Sequence, residues 1–450
     1  MTSIPKQCDV VVIGGGPAGS VAAATLAQDG VDVVVFDKQR HPREKVGENL
    51  IPDAWRFADA VGATPQLEAA GFIRKAGAMI QWRGRIHQHG FAEFGYDRPA
   101  MHVERDRFDH ILLKNAGQKG ARIHEGVVVR EVNFGGSCNK QVRYRRVMDG
   151  ENGTISCRYV IDASGQSALL GRKLGLRSVD AGFRFMSVWG YFTPEGYYLD
   201  KTGVAHRYAQ IREVLPVTFV TSLPRMDDAG WMWHIVLQDK VSVGMTIPRS
   251  QMPAAADWET FFLNHARQQP VIGRLLTGSR FISDTLRIIN DYSYQSSALA
   301  GPGYFLIGDA AGFVDPIFSV GVAFAMFSGS AAGWAAGHCL KRPAAAKRTQ
   351  DIFAKQLRGR LEVARALALP QYQTSGEPSD LARAVIQAEA PNVQQLMHTV
   401  SAMTSRSANF QKLLGEEGAA QMGDGHLNPI HDLDLSIIPP DDTLKEFVSC

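Results

Sequence analysis

The chain has 450 residues, 45% hydrophobic and 21% charged, with a formal net charge of +3. This is ordinary globular composition, long enough for roughly two or three subdomains, and the charges form no dense basic run, which argues against a nucleic-acid partner. Cys8, Cys138, Cys157, Cys339 and Cys450 show no C-x-x-C spacing, so neither a zinc site nor a redox pair is expected, and the thiols read as reduced ones of a cytoplasmic protein. Met1 to Gln7 is short and polar, unlike a signal peptide.

The first element is a β-branched strand, Asp9 to Ile13, that stops at Gly14-x-Gly16-x-x-Gly19, and an alanine-rich helix follows to about Gln28. A second strand from Val31 ends on Asp37. Such glycines permit a tight turn and close backbone approach to a pyrophosphate, the helix start offers unpaired N–H groups, and an acid about twenty residues on accepts from a ribose. Gly14, Gly16, Gly19 and Asp37 are therefore the expected dinucleotide ligands. Arg43 to Pro52 precedes a helix predicted from about Asp53 to Val61. His102 to Asp109 opens another, which leads through Gly120 into a strand-like segment from Ala121 to Val132. A polar hairpin over Gly135 to Gly153 returns to Tyr159-Val-Ile-Asp162-Ala-Ser164-Gly165.

Strand-like alternation fills Phe183 to Ile247 and recurs around Phe281 to Tyr294, so the middle reads as a mostly antiparallel sheet inserted into the nucleotide domain. An apolar strand from Tyr304 then runs into a Gly308-Asp309 turn and a glycine-rich helix start at Ser319 to Gly321. Pro316 to Leu340 carries no charge and is long enough to weigh as a membrane helix. Ser319, Gly321, Ser328, Gly329, Ser330, Gly333, Gly337 and His338 dilute it, and the turn before it fits a helix packed on a cofactor. From about Asp351 the period is helical, with Phe353, Leu357 and Leu361 on one face and Pro370 ending the run. Further helices are expected from near Ser379 and Pro391, covering the inserted sheet, and the tail from Gly423 reads as irregular. The fold class is α/β. A Rossmann-type domain is expected over 1–180 and 285–345, an inserted substrate sheet over 181–284 with part of 75–100, and a C-terminal helical region and tail over 346–450.

Taken in order, the motifs from about Cys8 to Leu340 resemble the FAD-dependent monooxygenase superfamily, and within it the flavin-dependent halogenases that act on pyrroles and phenols. The glycine loop is similar to the family's FAD loop, and Arg43 and Arg105 stand where it places arginines beside the flavin. Either arginine alone reads as a solvated helix end. Asp162-Ala-Ser164-Gly165 and Gly308-Asp309 resemble the second and third FAD motifs, which makes Asp162, Gly308 and Asp309 implied FAD residues. Phe313-x-x-Pro316-x-x-Ser319-x-Gly321 is similar to the halogenase pattern at the flavin face, where Ser319 and Gly321 would hold a halide ion on backbone N–H groups at a helix start. Phe72-Ile-Arg74-Lys75-Ala-Gly77 resembles the segment bearing the family's lysine, so Lys75 is implied to receive hypohalous acid. On its own, a lysine beside Arg74 reads as a surface charge. Trp231-x-Trp233 resembles the family's barrier between flavin and substrate, and by itself reads as two same-face core residues of one strand. The chain departs from the pattern at Val236, where proline is expected, and at Val320, where a small hydroxyl residue is common.

The resemblance implies an O2-using FAD oxidoreductase that forms a flavin C4a-hydroperoxide and halogenates an electron-rich aromatic ring, presented on a carrier protein or peptide. With no second dinucleotide loop to hold NAD(P)H, the implied reductant is a separate flavin reductase. Hydroxylation of a tryptophan or phenol within a peptide, as in quinone cofactor maturation, is the nearest alternative. An isoprenoid reductase and a non-catalytic flavin-binding partner are the others. No metal site is expected, because His87, His89, His102, His124 and His206 lack paired ligand spacing and read as polar surface. A Gly-x-Ser-x-Gly nucleophile turn is also missing. Gly16→Val is expected to abolish copurification of FAD, read from flavin absorbance per mole of protein. Stoichiometric FAD in that variant would remove the nucleotide from this loop.

Overall fold

The computed structural model describes residues 3–82, 85–92, 96–135, 139–223, 230–252, 257–368 and 432–439. The opening valines form the strand Val10–Ile13, buried along its whole length, inside a six-stranded sheet. Its order is Ala300–Gly301, Tyr304–Leu306, Tyr159–Asp162, Val10–Ile13, Val33–Asp37 and Arg122–Glu125, parallel throughout except for the Ala300–Gly301 edge. Parallel strands survive only where both faces are covered, and here they share one core with Val21, Leu112 and Ala332 from the helices Pro17–Gln28, Arg105–Gln118 and Gly321–Lys341.

The segment read as one strand from Ala121 to Val132 is split at Gly126, whose φ of +71° breaks the extended run. Arg122–Glu125 joins the parallel sheet, while Val127–Asn133 begins an antiparallel meander with Lys140–Arg146 and Asn152–Cys157.

The inserted sheet has seven strands, in the order Arg287–Asn290, Phe185–Phe192, Val241–Pro248, Gly230–Val236, Val217–Leu223, Gly77–Trp82 and Arg85–Gly90. Neighbours are antiparallel except Val217–Leu223 beside Gly77–Trp82. Two helices that the alternation did not announce, Trp258–Gln268 and Pro270–Leu275, close its core with Phe262, Ala266, Ile272 and Leu275. Their caps are local: Asp257 accepts from Thr260 N, Gln269 accepts from Val271 N and Ile272 N, and Pro270 begins the second helix.

Among the described residues no helix is long and apolar enough to cross a membrane. The charge-free helix Gly321–Lys341 instead lies hard against Pro17–Gln28, and its glycines allow this. A Cβ at Gly329 would stand 2.2 Å from the Ala18 carbonyl oxygen, and one at Gly333 would stand 2.8 Å from Thr25 Cβ.

The expectation that the C-terminal helices cover the inserted sheet needs correction for the first of them. Ala346–Ala368 packs on the nucleotide domain: Phe353 and Leu357 enter that core, and the Phe353 ring meets Phe305 edge-on at 5.1 Å. The helices expected from Ser379 and Pro391 and the start of the tail at Gly423 lie outside the described residues. Within the tail, residues 432–439 are anchored: Leu435 and Ile438 are buried in the inserted domain and Asp434 forms a β-bridge with Val204. Gly329→Leu is expected to cost about 1–3 kcal/mol through overpacking against Ala18, measured by urea unfolding. A variant as stable as the parent would mean that these two helices do not touch there.

Candidate active site

One cavity of about 680 Å³ is walled by both domains. From the nucleotide domain come Gly14, Gly16, Asp37, Arg43, Arg105, Asp109, Ser164 and Asp309, and from the inserted sheet come Thr218, Trp231 and Trp233, with Ser319 and Gly321 also on the wall. The three loop glycines are required for different reasons. Gly14 has φ +108° and leaves 2.3 Å between a would-be Cβ and the Ala163 carbonyl oxygen. Gly16 faces the cavity, and a Cβ there would meet Arg43 at 3.4 Å and nothing closer. Gly19 is not on the wall: its Cβ would fall 1.9 Å from the Gly14 carbonyl oxygen, so it serves the packing of turn on helix. Asp37 closes the same turn by accepting from Gly15 N at 2.7 Å and Gln39 N at 2.8 Å.

Arg43 and Arg105 are not solvated helix ends. Both grip the fully buried Asp109: Arg105 donates to its two oxygens at 2.8 and 3.1 Å, and Arg43 donates to one at 3.1 Å. Bidentate pairing of this kind fixes a guanidinium in place. Asp309 also lines the cavity, and burial pushes its carboxyl up to about 6 while Arg105 and Lys45 pull the other way. Gly308, at φ +52°, turns the chain there and donates its N–H to Ser328 Oγ at 2.8 Å. Asp162 stands behind the wall, not on it. It accepts from Ser164 N at 3.0 Å and Leu170 N at 2.7 Å, which shapes the loop whose Ala163, Ser164 and Gly165 do face the cavity.

On the sheet side Trp231 and Trp233 are packed with ring centroids 5.5 Å apart, yet both contribute to the wall. Trp233 Nε1 donates to Ser242 Oγ at 3.3 Å. The buried Glu48 accepts from Ser242 Oγ at 3.0 Å and from Tyr191 OH at 2.6 Å. Ser319 sits at φ +58°, one residue before the Val320 N-cap of the helix that Gly321 opens, and the first N–H groups of a helix have no intrahelical acceptor. Val320 faces away, into a neighbouring apolar recess with Phe318 and Phe324, so its departure from the family pattern leaves the cavity wall unchanged.

Lys75 is not a surface charge. It ends the strand Ile73–Lys75, is 1% exposed, and lies 5.0 Å from the centre of the Phe91 ring. Its Nζ donates to Asn49 Oδ1 and, at 3.3 Å, to Thr218 Oγ1, and burial pushes the ammonium down to about 7. His102, read from sequence as polar surface, is fully buried beside this group and kept neutral by burial and by Lys75. Sequence reasoning also passed over Asp109, Asn49, Glu48 and Thr218. The i,i+4 spacing of Arg105 and Asp109 was a usable cue, whereas the other three act across long separations that leave no local pattern.

A glycine-cradled helix start, an acid at a strand end and two fixed arginines along one elongated cavity suit an FAD dinucleotide. A family model for the FAD binding domain matches residues 7–194. The fold and site define an FAD-dependent oxidoreductase. The chain belongs to the flavin-dependent halogenase family. It is 33% identical over 330 residues to a tryptophan 2-halogenase of Chondromyces crocatus, covering 72% of this chain and 60% of that protein. It is 33% identical over 342 residues to a 1H-pyrrole-2-carbonyl-[peptidyl-carrier protein] chlorinase of Pseudomonas fluorescens, covering 71% and 73%. The solved structure of the myxobacterial chondrochloren halogenase CndH is 27% identical with a TM-score of 0.73, covering 90% of this chain and 99% of that one.

An unfolded lysine titrates near ~10.4, so between about pH 7 and 10 the unfolded chain holds the proton that buried Lys75 has lost. The lysine's contribution to stability therefore rises with pH across that window. The stability of wild type minus that of Lys75→Met is expected to increase from about pH 7 to about pH 9.5, measured by paired urea titrations. A difference independent of pH would place Lys75 in water.

Proposed function

We propose that this protein is an aromatic halogenase, and that Ser319, Gly321 and Lys75 carry the chemistry. The observation that supports this most directly is Asn49, which bonds Lys75 on one side and Ser319 on the other. The helix start and the buried lysine are thereby held as one unit. Reduced FAD, once bound, supplies two electrons that, with two withdrawn from a halide, reduce O2 to two waters and leave the halogen able to replace a ring hydrogen.

The chain's own residues do the rest. The unpaired N–H groups after Ser319 and the helix dipole favour an anion, which suits a halide ion at Gly321. Trp231 and Trp233 wall the cavity with apolar rings and keep water from the electrophile. Lys75 Nζ passes the halogen on, and near neutral pH both its amine and ammonium forms are populated because burial pushes it to about 7. An electron-rich ring takes the halogen and gives up a proton.

Indole and pyrrole rings are the substrate class, in keeping with the two relatives named above. Presentation on a carrier protein or peptide is our reading of the second of them. The reductant is a separate flavin reductase. A cytoplasmic setting suits the buried, unpaired Cys8, Cys157 and Cys339.

The test supplies FAD, NADH, a flavin reductase and O2 with chloride or bromide, and compares free pyrrole-2-carboxylate, indole and a pyrrolyl carrier thioester by mass. Halogen gain is expected, with the thioester the better pyrrole substrate. Lys75→Ala is expected to lose about a hundredfold or more of the product while binding FAD and consuming O2 at the parent rate. A gain of oxygen that ignores halide would assign hydroxylation instead. Equal turnover of free and tethered pyrrole would end the carrier reading.

A further inference from the structure

Lys75 does not itself line the cavity, whereas Asn49 and Thr218, the two side chains it donates to, do. Behind Thr218 stands His102. Its Nδ1 is 2.9 Å from the Val236 carbonyl oxygen and its Nε2 is 2.7 Å from Thr218 Oγ1. A carbonyl only accepts, so Nδ1 carries the ring proton, and in a neutral ring Nε2 must then accept. The Thr218 hydroxyl proton is committed to Nε2, and its lone pairs are turned toward Lys75.

Asn49 Oδ1 lies 2.9 Å from Thr218 Oγ1, and with the Thr218 proton facing His102 these are two acceptors side by side. Lys75 Nζ is the donor that reaches both. The other end of Asn49 donates to Ser319 Oγ at 2.6 Å. One backbone carbonyl, that of Val236, thus sets the direction of every bond as far as the Ser319 turn. Val236 is where the chain departs from the family's proline, and its carbonyl serves this network whatever its side chain.

We propose that His102, Thr218 and Asn49 are positioning residues for Lys75, and that His102 acts by holding Thr218 as an acceptor toward the lysine and so fixing its head group beside the Ser319 turn. The role assigned to Lys75 rests on the halogenase reading, while the arrangement of the cluster does not.

The test therefore reads the lysine directly. The Lys75 resonance, in protein labelled with 13Cε-lysine and assigned by Lys75→Arg, is followed through pH in wild type, Thr218→Val, His102→Leu and His102→Gln. Thr218→Val removes an acceptor from the charged form, and His102→Leu frees the Thr218 hydroxyl to donate to Asn49 in competition with Lys75. Both changes are expected to lower the lysine's titration midpoint by about one unit. Glutamine offers an oxygen to Thr218 and an N–H to Val236, so His102→Gln is expected to return the midpoint to within about 0.3 unit of wild type. In the supplied assay, product per O2 consumed is expected to fall about tenfold in Thr218→Val and His102→Leu and to recover in His102→Gln, with FAD affinity unchanged. A Lys75 midpoint that stays put in Thr218→Val and His102→Leu overturns the proposal. Because this readout needs neither halide nor aromatic substrate, a protein that shows the shifts but never halogenates overturns the proposed function and leaves the positioning cluster standing.

Discussion

A carboxylate taken out of water has to be met by donors, and Glu48 finds its own on the domain to which it does not belong. Tyr191 and Ser242 of the inserted sheet donate to its two oxygens, at 2.6 and 3.0 Å. Its backbone is held from the other side: Val103 N donates to the Glu48 carbonyl at 2.8 Å, Leu50 N to Met101 at 3.0 Å, and Arg105 to the Val46 carbonyl at 2.7 Å. Gly47, at φ +102°, lets the chain pass so close that a Cβ would stand 2.7 Å from Arg105 Nη1. Asn49 follows from this clasp with little freedom left. Its side chain therefore lies between Lys75 and Ser319 as a consequence of where Glu48 is pinned.

The cavity is electrostatically uneven, and the two ends suit different tasks. Around Asp109 the charges are paired and oriented, with two arginines on one carboxylate and Asp309 beside them, an arrangement able to fix a charged dinucleotide. Around the tryptophans the ionisable groups are pressed toward neutrality. Burial lowers His102 well below its ordinary value, His234 to about 3 and Lys75 to about 7, and raises Glu48. A region that stabilises neither sign strongly suits the halogen transfer proposed above, with Lys75 set just behind the wall that Asn49 and Thr218 form.

The glycine loop and strand ends of the nucleotide half were legible in the sequence because they are imposed by local backbone geometry, whereas the grip of Arg43 on Asp109, 66 positions apart, was not. A strand that stops on Gly14, a helix that starts after Gly16 and a strand that ends on Asp37 lie within one short stretch of chain, and a glycine with positive φ leaves its mark at its own position. The Ser319 to Gly321 helix start was legible for the same reason, as was the helical period through Phe353 and Leu357. The splitting of the strand at Gly126 and the helices capped by Asp257 and Gln269 were also local, and the alternation around them hid their signals.

Asn49, Thr218 and His102 had no such mark. Asn49 is 26 positions from Lys75, 169 from Thr218 and 270 from Ser319, and His102 is 116 from Thr218. His102 looked like surface because it was read as opening a helix and lacked paired ligand spacing, and a lone histidine carries no sign of what will cover it. It is buried because Ala100–His102 pairs with Ile73–Lys75, placing His102 opposite Ile73, and because Val236 and Thr218 then arrive from the inserted sheet. The sequence by itself determined the turns, the periods and the residue types able to bind a dinucleotide and an anion, since those depend on each residue's own φ, ψ and neighbours. Only the docking of the inserted sheet on the nucleotide domain decided that a buried lysine, an asparagine and a left-handed serine would share one hydrogen-bonded group, since that depends on distances between segments that sequence spacing does not carry.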